Sequence, residues 1–334
     1  MSILPPRQQK NDEGAALITA LIIVAVMAAA VVAVMDTMRF SMRVSSNVAQ
    51  RDQAQLLVLG AEKLATETIS RTRAEYPAGT AAFPVLDEWT RNPFVFPIDG
   101  GQISGQVIDS ANCFNLNAVV RQEDGRFVVD KDNAKRLELL LEYSGVNPPQ
   151  STELVSALVD WMDGDASPGY GGAEDPDYMA LAAPYRTSES LLYDVSEIKA
   201  VAGFNAQIYH LIRPQVCALP EPVLQPLNLN TLNTWNLPLL VAYLGGGYEP
   251  QDLESLILER PVGGFSDVRE FFSRPVFGES GLQEEQRKLF ALSSFYYALQ
   301  ADIQYYGTQL EMTSIVKVSE SGQVDVISRQ FGGF

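Results

Sequence analysis

Residues 15–35 form an unbroken apolar run, AALITALIIVAVMAAAVVAVM, whose one polar member is Thr19. A helix rises about 1.5 Å per residue, so this stretch spans about 30 Å, the hydrocarbon thickness of a bilayer. The run therefore predicts a single transmembrane helix at the start of the chain. Just before it stands Lys10-Asn11-Asp12-Glu13-Gly14. A secretory signal peptide carries its cleavage site after the apolar segment. Here the processing-like boundary lies before it, and a cut between Gly14 and Ala15 removes the polar leader 1–14 while keeping the helix. An uncleaved anchor is the plain alternative. A secretory signal cleaved near Ala28-Ala29-Ala30 fits less well, because the run is too long for an h-region and Asp12 and Glu13 spoil a basic n-region.

Beyond the helix about 300 residues remain, enough for one large or two ordinary domains. The net charge of −17 argues against nucleic acid, whose binders need basic surface, and against an anionic membrane surface. Cys113 and Cys217 are the only cysteines. An exported domain permits a disulfide between them. Closing a loop of about 100 residues would stabilise by about 4–5 kcal/mol; two buried thiols are the alternative. The spacing excludes a CxxC site, and a single His210 leaves no His-based metal cluster or conventional triad. Charge does not settle orientation. Arg7 and Lys10 precede the run, whereas Arg39, Arg43 and Arg51 follow it, which read literally favours a cytoplasmic C-terminal part.

No Pro interrupts the chain from Ala15 until Pro77, and Gly60 is the only Gly in that stretch. Val44, Val48, Leu56 and Leu59 fall near helical spacing, so one helix is expected over 15–74, its second half packing on a domain. Phe94-Val95-Phe96 and Gln102–Ile108, joined by Asp99-Gly100-Gly101, read as a hairpin. Near the C-terminus 294–306, 309–318 and 324–328 read as strands. Strands from both sides of a helical middle predict an α+β framework, 36–111 plus 290–334, with an inserted α-helical domain at 112–289.

That middle is duplicated. Phe114-Asn115-Leu116-Asn117 matches Leu227-Asn228-Leu229-Asn230, Leu139-Leu140 with Tyr143 and Gly145 matches Leu239-Leu240 with Tyr243 and Gly245, and Asp194-Val195-Ser196-Glu197 matches Asp267-Val268-Arg269-Glu270. The repeats fall at about 114–217 and 227–289. The first carries extra residues at 118–134 and 163–187. Asn228-Leu229-Asn230-Thr231 and the helical stretch after it resemble helix-hairpin-helix modules, many of which bind DNA. Here Gly245-Gly246-Gly247 sits among Glu249, Asp252 and Glu254, which would repel phosphate.

Chemistry concentrates in one acidic loop. Asp160, Asp163, Asp165, Glu174, Asp175 and Asp177 occur with no Lys or Arg among them, interspersed with Gly164, Gly169, Gly171 and Gly172. Such a loop repels itself without a cation, and Ca2+ takes oxygen ligands in irregular cages more readily than Mg2+. Asp163, Asp165, Glu174, Asp175 and Asp177 are the candidate ligands; a solvated acidic loop is the alternative. The EF-hand pattern is absent. No nucleophile, base and orienter set appears, so an enzyme, such as an exported calcium-dependent hydrolase, is not expected.

Together these parts resemble the type II secretion minor pseudopilins of the general secretion pathway protein K family (GspK). The resemblance rests on Gly14, the Ala15–Leu21 start, Phe114–Asn117, Leu158–Asp165, Gly172–Asp175, Ser196–Ile198 and Asn228–Thr231. It implies a pseudopilin fold, a long N-terminal helix on an antiparallel sheet, with a large inserted α-domain and bound structural calcium. It implies cleavage by a prepilin peptidase at Gly14–Ala15, N-methylation of Ala15, and an inner-membrane protein whose C-terminal domain is periplasmic. Assembly with minor pseudopilins I and J at the pseudopilus tip, initiating the fibre for export across the outer membrane, is implied too. One departure from pseudopilins at large is Thr19, where most carry Glu at the fifth mature position. A carboxylate in hydrocarbon needs a partner, and a subunit with none above it has no use for one. A type IV pilus tip subunit and, less well, a membrane-tethered helix-hairpin-helix DNA-binding protein are the alternatives.

Overall fold

The computed structural model describes residues 12–75, 93–278 and 283–332. Helix α1 runs from Asp12 to Glu75, 64 residues and about 96 Å long. It begins ahead of the expected 15, so the backbone at Gly14–Ala15 is already helical; leader residues 1–11 lie outside the described residues. Among the described residues, nothing covers the apolar half. Leu17, Leu21, Val24 and Val31 are all exposed, and the helix contains an 18-residue window of mean hydropathy 3.0. After it come β1 (Phe94–Ile98) and β2 (Gly101–Asp109), an antiparallel hairpin. Gly100 turns it at φ 82°, a conformation that glycine adopts without strain.

The middle of the chain holds two units of one design. The first contains β3 (Phe114–Asn115), a hairpin of β4 (Val120–Glu123) and β5 (Arg126–Val129), α2 (Lys131–Tyr143), α3 (Pro148–Met162), α4 (Asp175–Met179), α5 (Ala206–Ile212) and β6 (Val216–Cys217). The second contains β7 (Leu227–Asn228), α6 (Leu237–Leu244), α7 (Pro250–Leu258), α8 (Val268–Phe272), α9 (Glu284–Arg287) and β8 (Phe290–Ala291). Each unit closes on itself by a short parallel pairing, β3 with β6 and β7 with β8. The buried asparagines do the same work in both. Asn117 donates to the carbonyls of Leu192 and Leu219 and accepts from Leu192 N–H. Asn230 donates to the carbonyls of Phe265 and Leu292 and accepts from Phe265 N–H. Two residues past each clamped backbone group, Asp194 and Asp267 accept from the N–H groups of Ser196 and Arg269. Helices α2 and α6, counterparts in the two units, pack against each other. Their shared apolar core runs from Phe114 and Leu140 through Leu240 to Phe290. A disulfide joins Cys113 to Cys217 beside the β3–β6 pairing.

The chain then returns to the sheet as β9 (Tyr296–Tyr305), β10 (Thr308–Val318) and β11 (Val324–Phe331). The five-stranded order is β1-β2-β9-β10-β11, antiparallel throughout. Alternate residues of β10 (Leu310, Met312, Ser314, Val316 and Val318) face inward, where Ala54, Val58, Ala65 and Ile69 of α1 cover them. Glu62 lies between those apolar pairs and is satisfied by Ser314 Oγ and the Arg329 guanidinium.

Both strands flanking the middle units meet them at one point. Ser110 N–H donates to the Tyr296 carbonyl, and Asp109 pairs with Tyr297. Arg73, in the last turn of α1, donates to the Ser294 carbonyl at this same end. The opposite end of the sheet, the Tyr306-Gly307 turn, borders Asn47 and Gln50 of α1. Residues 110–295 therefore leave and re-enter at the end of the sheet away from the apolar half of α1, and they also touch its outer strands, Glu221 pairing with Lys317 and Asp194 accepting from Gln330. Asp109 anchors them there, accepting from Asn228 Nδ2, Thr231 Oγ1 and Ser294 Oγ.

Candidate metal centre

Helix α3 carries an apolar inner face of Leu154, Val155 and Leu158 and ends at Met162, with Asp163 as its C-cap. Both Asp163 and Asp160 therefore sit at the electronegative end of a helix, where anions are disfavoured and cations favoured. The loop then doubles back. Asp165 accepts from Ser167 N–H at 2.8 Å in an Asx turn, Gly169 and Gly172 close a tighter turn through a 3.0 Å backbone bond, and Glu174 becomes the N-cap of α4. One ligand oxygen each from Asp163, Asp165 and Glu174 falls within 4.8 Å of the others.

Burial makes this cluster more than a charged surface. Asp163 is 8% and Glu174 5% exposed. Asp163 Oδ1 and Glu174 Oε1 are buried without a hydrogen-bond partner. A buried carboxylate oxygen left unpaired costs several times a surface one. Burial, then the charges of Asp165 and Asp160, pushes Asp163 up to about 6. Burial, then the charges of Asp160, Asp163 and Asp165, pushes Glu174 up to about 7. Two unpaired hard oxygens and a third exposed carboxylate suit a hard divalent cation.

Two of the five candidate ligands stand elsewhere. Asp175 lies outside the cluster, its carboxylate held by Thr187 N–H, Thr187 Oγ1 and Arg186. Those bonds, the Thr187 N–H first, draw it below the usual carboxylate range. Asp177 accepts from Glu174 N–H and braces the start of α4. Asp160, outside the five, belongs with the site. It is 3% exposed, and both its oxygens accept from Gly169 N–H at 3.1 Å. Its spacing of three from Asp163 on a helix, which places both on one face, is the sequence signal that could have found it. Around the loop, Trp161, Tyr178 and Tyr185 stack edge to face or tilted, and Tyr178 Oη accepts from Ala202 N–H.

Sequence profiles described as type II secretion system (T2SS), protein K match residues 112–221 and 227–292, and a PilX N-terminal profile matches residues 13–69. The type II secretion system protein K of Pectobacterium carotovorum subsp. carotovorum is 30% identical over 329 residues, 98% of each chain. The chain belongs to the type II secretion system protein K family. That of Klebsiella pneumoniae is 34% identical over 223 residues, 67% of each chain. A chain of the GspK-GspI-GspJ complex from the enterotoxigenic Escherichia coli type 2 secretion system superposes with TM-score 0.73 at 26% identity, covering 87% of this chain and 99% of that one. The two protein K profiles part between residues 221 and 227, where the first structural unit ends and the second begins. In this protein K family member the acidic loop lies wholly inside the first.

Proposed function

We propose that this chain is the minor pseudopilin that caps the tip of a type II secretion pseudopilus. The observation that carries the reading is where residues 110–295 emerge. More than half of the chain projects beyond the sheet end away from the membrane helix, anchored by Asp109 and Arg73. A fibre of such subunits stacks helices and sheets, and the next subunit up would need the space this mass fills. The division into a pseudopilin module (36–111 and 290–334) and an inserted domain (112–289) belongs to the same reading, with one change: β8 (Phe290–Ala291) pairs with β7, so the return to the sheet falls near 295 rather than at 290. In this reading the prepilin peptidase cuts at Gly14–Ala15, Ala15 is N-methylated, and α1 sits in the inner membrane with the rest in the periplasm, where a disulfide persists. The neighbour's description as a GspK-GspI-GspJ complex supports minor pseudopilins I and J as partners. Structural Ca2+ held by Asp163, Asp165 and Glu174 neutralises the acidic loop. The chain works by assembly rather than catalysis. The amides of Gly245 and Gly246 are engaged by the Ala242 and Val241 carbonyls rather than offered to phosphate, which favours this reading over DNA binding.

The test is co-expression of the tagged full chain with minor pseudopilins I and J and extraction in mild detergent. A complex of one copy of this chain with I and J is expected. Recovery of this chain alone, with I and J forming their own complex, overturns the assignment.

A further inference from the structure

Resting on the cation reading, we infer that Asp160 is a positioning residue of the site, clamping the Gly169–Gly172 turn so that Glu174 reaches Asp163. The carboxylate is buried, and Asp160 is not among the three acids whose oxygens converge. Both its oxygens accept from Gly169 N–H, with Ala173 N–H a further backbone partner, and the Gly169 carbonyl accepts from Gly172 N–H. The turn is moulded to it. A Cβ on Gly172 would run into Asp160 Oδ2, and one on Gly169 would stand 3.4 Å from Oδ1 and 3.1 Å from Ser156 Cβ. Two residues past Gly172 comes Glu174, whose Oε1 is one of the two unpaired buried oxygens. The loop between Asp163 and Glu174 has no strand or helix of its own. This turn and its clamp therefore fix the distance between the two buried ligands. Partners behind a ligand shell typically set metal affinity about 10- to 100-fold.

A direct ligand, a remote charge and a positioning group give different patterns across three substitutions. Asp160→Asn removes the charge but keeps one oxygen to accept from Gly169 N–H. Asp160→Ala removes both. Gly172→Ala changes no charge, and its backbone conformation is open to alanine, yet its methyl group displaces the carboxylate. The full chain in detergent micelles would be titrated with Ca2+ by calorimetry and with Tb3+ by luminescence sensitised through Trp161. Amide exchange of residues 163–174 would be followed in EDTA. Asp160→Ala and Gly172→Ala are both expected to weaken Ca2+ about 10-fold or more and to speed exchange of the turn without metal, while Asp160→Asn stays near the parent in both. Equal losses in Asp160→Asn and Asp160→Ala, or unchanged affinity in Gly172→Ala, overturn the positioning role. Faster turn exchange in the variants of a parent that binds neither ion sinks the calcium reading and leaves the clamp standing. Unchanged exchange sinks the clamp whatever the ions do.

Discussion

Asp163 and Glu174 are held as a pair of buried carboxylates against their own burial, and this sets how the site should answer to protons. Both have folded values above their usual ones, about 6 and about 7. A raised carboxylate stabilises the fold below its unfolded value and loses that contribution as pH rises through the folded value. The metal-free protein is therefore expected to gain melting temperature as pH falls from about 7.5 towards about 5, the window those two values span. Under the calcium proposal, a bound cation would reverse this by stabilising the ionised pair. The rise in Tm on adding Ca2+ should be largest above pH 7 and shrink towards pH 5; a rise independent of pH would remove these residues from the site. Asp163→Asn and Glu174→Gln should abolish the Ca2+ response, while Asp175→Asn should leave it intact, because Asp175 is occupied by Thr187 and Arg186. Scanning calorimetry of the three variants with and without Ca2+ decides it. The location of the acidic cluster was legible from charge density alone. Which acids converge was not, since Asp175 is turned aside by Arg186, a partner lying beyond the loop's own acidic run, and Asp177 by the geometry of the first turn of α4.

At the scale of elements, the two Asn-Leu-Asn segments act as equivalent staples, and the equivalence can be measured. Asn117→Ala and Asn230→Ala each remove hydrogen bonds to the backbone of a residue two positions before an Asp N-cap. Each leaves buried N–H and C=O groups unpaired, at about 1–3 kcal/mol per group. A loss of about 2–4 kcal/mol is expected for either, seen as a matched fall in denaturant midpoint at unchanged m-value. A large loss at one site with none at the other would contradict the duplicated design. Reduction of Cys113–Cys217 should cost about 2–5 kcal/mol in the same assay. The repeat was readable because paired asparagines recur around the same leucine, each preceded by a large apolar residue. The β4–β5 hairpin was not read within the extra residues 118–134, although Asp124-Gly125 between Val120–Glu123 and Arg126–Val129 is a two-residue turn signal; both turn residues have positive φ. The sheet was more legible than the helix ends. Strands such as β10 alternate cleanly inward and outward, whereas α1 extends past its expected start because nothing in Asp12-Glu13-Gly14 stops a helix.

For the whole molecule, two explanations compete for why such a chain would stop a fibre. One is the missing carboxylate at Thr19, and the other is the mass that projects past the sheet. The structure allows them to be separated. Ser110 N–H and the Tyr296 carbonyl lie 3.0 Å apart, so residues 111–294 can be replaced by a short Gly-Ser turn that continues the β2–β9 pairing. The excision removes the partners of Asp109, the Ser294 contact of Arg73, and the Glu221 and Asp194 partners of Lys317 and Gln330. It leaves the packing of Val58, Ile69, Val107, Leu299 and Val316 in place. With the bulk gone and Thr19→Glu added, the trimmed chain should enter the shaft of pseudopili assembled from the other subunits. The full chain with Thr19→Glu should remain confined to the end. Gold labelling of isolated fibres by electron microscopy distinguishes the two placements. Labels along the shaft for the full-length Thr19→Glu chain would mean that the membrane carboxylate, and not the projecting domain, decides who caps. Steric exclusion is the stronger expectation. A carboxylate paired within the membrane can only add a bond between neighbours, whereas a domain this large in the path of the subunit above leaves that neighbour no place to form one.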